Sequence, residues 1–124
     1  MDLKELGTAL TVFQLHPDSP LPDFSGIRGF FSVTRTPEEV SIVCETDQVP
    51  MGDFKREDGW KCIQVVGPLD FSLTGVLFSI AAPLADGKIS IFAVSTFNTD
   101  YLLIKQGSYS KARDLLIQAG FRFA

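Results

Sequence analysis

A single helical stripe, with strand-like runs on both sides of it, leaves few topologies open to this chain. Leu73, Val76, Leu77, Ile80, Ala81 and Leu84 fall at i, i+3, i+4, i+7, i+8 and i+11, the apolar face of an amphipathic helix. Asp70 or Ser72 is placed to cap its start, and Gly87 lies just past its end. Pro83 has no amide to offer the carbonyl of Ser79, which predicts a kink or a shortened last turn. Trp60–Val66 before the helix, and Ile89–Ser95 and Tyr101–Lys105 after it, alternate or run apolar in the manner of buried strands. A second helix follows, capped by Ser108, with Ala112, Leu115, Leu116 and Ala119 on its apolar face and Gly120 at its end. Phe121-Arg122-Phe123 has room for a short last strand.

Residues 60–124 therefore read βαββαβ, the split-βαβ or ferredoxin-like order of an α+β fold, an antiparallel sheet with two helices on one face. The first 59 residues repeat part of it. Thr8–Leu15 reads as a strand, with Leu10 and Val12 on one face and Phe13 and Leu15 on the other. The prolines of residues 16–23 stop it. Phe30–Arg35 and Val40–Glu45 form a hairpin around the turn at residues 36–39, and residues 46–59 form a polar connector. A shift of 61 aligns Gly26 with Gly87, Phe31 with Phe92, Val33 with Val94, Ile42 with Leu103 and Val43 with Ile104. The chain is thus expected to hold tandem halves: a degenerate one over residues 1–59, with three strands and little helix, and a complete one over residues 60–124.

At 124 residues with 45% hydrophobic side chains, the chain has material for a real core. No apolar run approaches the roughly 20 residues of a membrane helix, and Met1–Glu5 does not open a signal peptide, so a soluble, cytoplasmic protein is expected. Cys44 and Cys62 each sit inside a strand pattern and read as reduced core residues rather than a disulfide framework. The net charge of −4 is uneven, because residues 1–59 carry −6 and the remainder +2. An acidic first half without a basic stripe argues against a nucleic-acid partner.

Catalytic chemistry is hard to assemble from these residues. His16 is the single histidine and stands beside Pro17 at a strand end, a position suited to an exposed loop residue rather than a general base. There is no Cys-x-x-Cys, no His-x-x-x-His and no phosphate-binding glycine loop, so neither a metal nor a cofactor is expected. A thiol enzyme built on Cys62 or Cys44 has no support from spacing. Two places remain. The turn from strand into helix, residues 67–76, brings the free amides and positive dipole end of a helix start, a seat for a carboxylate. The alternative there is an ordinary capped turn in which Gly75 packs on the sheet. The second place is the loop in which Ser95, Thr96, Asn98, Thr99 and Asp100 gather around Phe97, between two runs that favour burial. Such side chains either face a ligand or bond the backbone of their own loop.

"GPLDFSLTGVLFSIAAPLADGKISIFAVSTFNTDYLLIK", residues 67–105, resembles the core of an ACT domain. More closely it is similar to small bacterial members whose repeats also occur in the cytosolic arginine sensors of the animal TOR pathway. The glycine-initiated turn, the "PLAD-G-ISIF" passage and the "STF-TDYLL" hairpin carry the likeness, and residues 1–59 resemble the divergent first half of such proteins. The resemblance implies a ferredoxin-like fold, side-by-side association as a homodimer, and a free amino acid bound at that interface by a non-enzymatic regulatory module. It points to Phe71, Ser72, Leu73, Thr74 and Gly75 as backbone contacts to the ligand. Phe97, Asn98, Thr99 and Asp100 would face the same molecule, Asp100 pairing with an ammonium or a cationic side chain. The output would then pass to a separate partner protein. A rival reading keeps the fold and gives up the ligand, leaving a protein-interaction module.

Overall fold

The computed structural model describes residues 1–67, 69 and 74–124. The chain divides into two compact units, one of Met1–Gly7 with Lys61–Ala124 and one of Thr8–Trp60. The first seven residues thus go with the C-terminal unit rather than with residues 8–59. Two long strands run through the division, β1 (Asp2–Leu15) and β4 (Lys55–Val65).

The C-terminal unit follows the expected order: β4, α1 (Val76–Asp86), β5 (Phe92–Ser95), β6 (Asp100–Lys105), α2 (Gln106–Gln118) and β7 (Arg122–Phe123). Strands β5, β6 and β4 lie side by side, followed by the start of β1. The β5–β6 pair is antiparallel. β7 adds a parallel pair, Asp2 opposite Arg122 and Leu3 opposite Phe123, an arrangement the C-terminal βαββαβ pattern alone does not announce. Arg122 clamps Asp2 through two hydrogen bonds of 2.9 and 3.1 Å, which fixes the pairing at its outer end. The helices cover one face, where Ile80 and Leu84 of α1 and Ala112 and Leu116 of α2 meet Ile63 and Ile104 of the sheet. Each buried Ile or Leu among them stabilises the fold by about 1.5–3 kcal/mol.

Several expected boundaries shift, each for a local reason. α1 begins at Val76, with Gly75 at its N-cap position in the left-handed region. Asp70 and Ser72, the expected caps, lie outside the described residues. The helix continues through Pro83 to Asp86. Its exit is a Schellman turn: Ile89 N–H reaches Leu84 O and Lys88 N–H reaches Ala85 O, both at 2.9 Å. The left-handed residue of that turn is Lys88 rather than glycine. Gly87 answers another need, since a Cβ there would overlap the Leu115 side chain of α2. Ile89 is buried but spent on this turn, so β5 starts three residues later than the expected Ile89. α2 begins at Gln106, which puts Ser108 inside the helix rather than at its cap. Tyr109 joins the buried face.

In the N-terminal unit β2 (Phe31–Arg35), β3 (Val40–Glu45) and β1 lie side by side, with antiparallel pairing throughout. Helix is confined to one 3-10 turn, Thr46–Gln48. Aromatic side chains fill the space a helix would occupy. Phe24 and Ile27, from the strap after β1, pack with Phe31, Val33 and Phe54 on a core of Phe13, Val40, Ile42 and Cys44. The ring centroids of Phe24 and Phe31 are 4.2 Å apart and those of Phe13 and Phe54 are 4.9 Å apart. Thr11 is fully buried and donates to Asp58 Oδ1 at 2.6 Å, so Asp58 is an anchored carboxylate despite its exposed, charged sequence setting.

The two hairpins repeat each other at an offset of 60 rather than 61. Arg35 pairs with Val40 and Ser95 with Asp100, each pair flanking a four-residue loop. Thr36 N–H donates to Glu39 O at 2.9 Å, and Thr96 N–H to Thr99 O at 2.8 Å. At this offset Ile42 and Cys44 map onto Leu102 and Ile104, all on core faces, whereas the 61-residue shift would exchange the faces.

Candidate functional site

The C-terminal unit has a cleft of about 280 Å³ lined on one side by Leu69, Gly75, Val76 and Leu77, and on the other by residues 95–100. It joins the two places that the sequence singles out separately. Gly75, Phe97, Asn98, Thr99 and Asp100 all line it. Thr74 is exposed and stands outside the lining, and Phe71, Ser72 and Leu73 lie outside the described residues.

Backbone chemistry builds the first wall. Gly75 takes φ +77°, which a glycine adopts without strain, and a Cβ there would meet nothing within 4 Å. The alternative in which Gly75 packs on the sheet is therefore absent: the residue turns the chain into α1 and leaves the space beside it open. The first hydrogen bond of α1 runs from Ser79 N–H to Gly75 O at 2.8 Å, and Gly75 at the N-cap has no side chain with which to cap the start. The amides of the first turn consequently have no partner within the helix.

The second wall is a braced loop. Leu69 N–H donates to Asn98 O at 2.6 Å, tying the exit of β4 to the hairpin tip. Thr99 is buried, and its hydroxyl donates to Val65 O at 2.6 Å. Gly67 fits under this contact because a Cβ would come within 3.2 Å of both Asn98 O and Thr99 Cβ. Thr99 thus lines the cleft and at the same time ties the loop to the strand through its hydroxyl. Thr96 closes the loop on itself through Thr99, with bonds of 3.0 and 3.3 Å. Asp100 accepts from Ser95 Oγ through Oδ1 at 2.5 Å, which orients the carboxylate at the rim. Phe97 is 78% exposed at the tip.

Leu69, Val76, Leu77, Ser95 and Thr96 also line the cleft without having been singled out as ligand contacts. Ser95 and Thr96 belong to the polar cluster visible in sequence, whereas Val76 and Leu77 are masked there by their membership of the helical stripe.

The cysteines are free and buried in the two units. Burial pushes the Cys62 thiol up to about 12 and raises that of Cys44, the opposite of what a nucleophile needs. His16 is exposed, with Nδ1 accepting the Asp18 amide at 3.1 Å. Among the described residues no group of three metal-ligating side chains converges, and no helix is long and apolar enough to cross a membrane.

The order and pairing of these elements define a ferredoxin-like α+β module. The ACT domain model matches residues 55–118, and the chain belongs to the ACT domain family. A second family model, described as an N-terminal domain, matches residues 9–52. The human protein CASTOR3P is 34% identical over 87 residues, covering 60% of this chain and 53% of that protein. The bovine cytosolic arginine sensor for mTORC1 subunit 1 is 29% identical over 91 residues, covering 65% of this chain and 28% of the sensor. The chain thus spans about half of the first relative and under a third of the second. A crystal structure of a protein from Agobacterium tumefaciens superposes with a TM-score of 0.90 at 37% identity, covering 99% of this chain and 91% of that one.

Proposed function

We propose that this chain is a non-enzymatic regulatory module that binds a free amino acid in the cleft between the start of α1 and the β5–β6 loop. The observation that carries the reading is the pairing of opposite polarities across that cleft. The helix-start amides at Val76 and Leu77, which have no carbonyl partner within α1, suit a carboxylate, and the Asp100 carboxylate suits an ammonium or a cationic side chain. The volume, about 280 Å³, lies at the small end of ligand pockets, near the size of one amino acid. Burial of Cys62, which raises its thiol, weighs against a thiol nucleophile. Membership of the ACT family supports the regulatory role, and a bovine relative named as an arginine sensor supports the ligand class. Phe71, Ser72, Leu73 and Thr74 complete the ligand contacts in this reading. The module works in the cytoplasm as a homodimer and passes its signal to a separate partner protein.

A thermal-shift screen against the twenty amino acids tests the reading. A ligand at a hundred times its dissociation constant adds about 2.7 kcal/mol of stability, a shift well within reach of the method for a domain this size. No shift with any of the twenty would transfer the cleft to the rival reading, a contact surface for another protein.

A further inference from the structure

We infer that the N-terminal unit carries a second, independent site, for a small zwitterion, in the cleft between the exit of β1 and the β2–β3 hairpin. The cleft measures about 560 Å³ and is lined by Pro17, Asp18, Arg35, Thr36 and Pro37. Its place within its own unit corresponds to that of the first cleft. Residues 17 and 18 follow the strand that pairs with β3, as Leu69 follows the strand beside β6. The hairpins have the same register and the same threonine-headed loop, Thr36 accepting from Glu39 N–H at 3.2 Å and Thr96 from Thr99 N–H at 3.3 Å.

The chemistry differs. At the position of Ser95 stands Arg35, and at that of Asp100 stands Val40, so this hairpin has a guanidinium in place of the hydroxyl and an apolar side chain in place of the carboxylate. Beyond its backbone pairing with Val40, Arg35 makes no side-chain ion pair or hydrogen bond with any other described residue. Asp18, which lines the same cleft, is 91% exposed, 3.9 Å from His16 Nδ1 and not paired with Arg35. Two opposite charges therefore line one cleft without neutralising each other. A molecule with a carboxylate for the planar fork of Arg35 and an ammonium for Asp18 satisfies both. A simple anion fits less well, because Glu38 and Glu39 sit in the same hairpin and repel it. Pro17 and Pro37 hold the walls in fixed backbone conformations, which lowers the ordering needed on binding.

The test is nitrogen-15 NMR titration of the full chain with glycine, β-alanine and γ-aminobutyrate, which differ in charge separation, and with acetate and methylammonium as single-charge controls. The expected result is a saturable shift of Arg35 Nε–H and the Thr36 amide with at least one zwitterion and with neither control. Arg35→Gln and Asp18→Asn should each weaken that titration by about tenfold or more. Asp100→Asn should leave it unchanged, so failure of the first cleft and failure of this one are separable. Acetate reproducing the shifts, equal affinity in the Arg35→Gln protein, or no saturable shift at residues 17, 18 and 35–37 would each overturn the proposal.

Discussion

The amide of Leu69 donates to the carbonyl of Asn98 at 2.6 Å, joining a turn and a hairpin tip separated by nearly thirty residues. Four residues before Leu69, Val65 O accepts from the Thr99 hydroxyl at 2.6 Å. The two bonds tie the exit of β4 to the β5–β6 loop, so that Leu69 and the loop keep their spacing before any ligand arrives. Binding to such a site carries a smaller ordering cost than binding to two free loops.

Replacement of Thr99 by Val keeps the shape and removes the donor. Val65 O then loses a buried partner, at a cost of about 1–3 kcal/mol in chemical denaturation. Thr99→Ser, which keeps the hydroxyl, should recover much of that loss. Equal midpoints for Thr99→Val and wild type would show that the bond does not brace the loop.

Gly75 is held at φ +77° with open space around it, so Gly75→Ala introduces backbone strain without a clash. A loss of about 1–2 kcal/mol is expected in the same assay. The sequence alone allows helical dihedrals at this position, which would have made bulky replacements harmless to the fold. The left-handed conformation rules that out.

Lys88 is a non-glycine residue in the left-handed region at φ 61°, where the corresponding turn after α2 uses Gly120 at φ 99°. Both turns carry the same pair of bonds, with Phe121 N–H on Leu116 O and Gly120 N–H on Ile117 O after α2. Lys88→Gly should therefore stabilise the protein by about 0.5–1 kcal/mol, and Gly120→Ala should destabilise it by about 1 kcal/mol. Thermal melts of the two variants moving in the same direction would contradict this.

Acid should weaken the C-terminal unit through two carboxylates. The hydrogen bonds from Arg122 hold Asp2 below the usual carboxylate range, and the bond from Lys61 does the same for Glu5. A carboxylate depressed in the folded state contributes stability that is present above its unfolded pKa, about 4, and lost as pH falls through the depressed value. Stability measured from pH 6 downward should decline below about pH 4. Asp2→Asn and Glu5→Gln should each make that decline shallower, and an unchanged slope in both would remove these pairs as its source.

Where alternation was strong, the sequence was sufficient: β3 runs from Val40 to Glu45, as its pattern indicates. Strand segments without an apolar rhythm were invisible. Lys55–Gly59 at the start of β4 is polar, mostly exposed and held by pairing rather than burial, and Asp2–Gly7 buries only Leu3 fully. An offset of 61 aligns like residues, among them Gly26 with Gly87, Phe31 with Phe92 and Val33 with Val94, yet register depends on which face each residue joins, and that favours 60. At the cleft, Phe97–Asp100 were legible because polar residues between two apolar runs need a reason. The brace from Leu69 to Asn98 was not, because a backbone-to-backbone bond leaves no trace in side-chain identity.

The measurement closest to the central claim is calorimetric titration of the amino acid found by the thermal screen, against wild type, Asp100→Asn and Asp114→Asn. Asn at position 100 keeps an acceptor for Ser95 Oγ and removes only the charge. Asp114 lies on the exposed face of α2, away from the lining residues, and serves as the control. The account predicts that Asp100→Asn weakens binding by about ten- to a hundredfold, the worth of a charge-assisted hydrogen bond of roughly 1.5–3 kcal/mol, while Asp114→Asn binds as wild type does. Equal affinity of wild type and Asp100→Asn would remove the Asp100 carboxylate from the site and contradict the account.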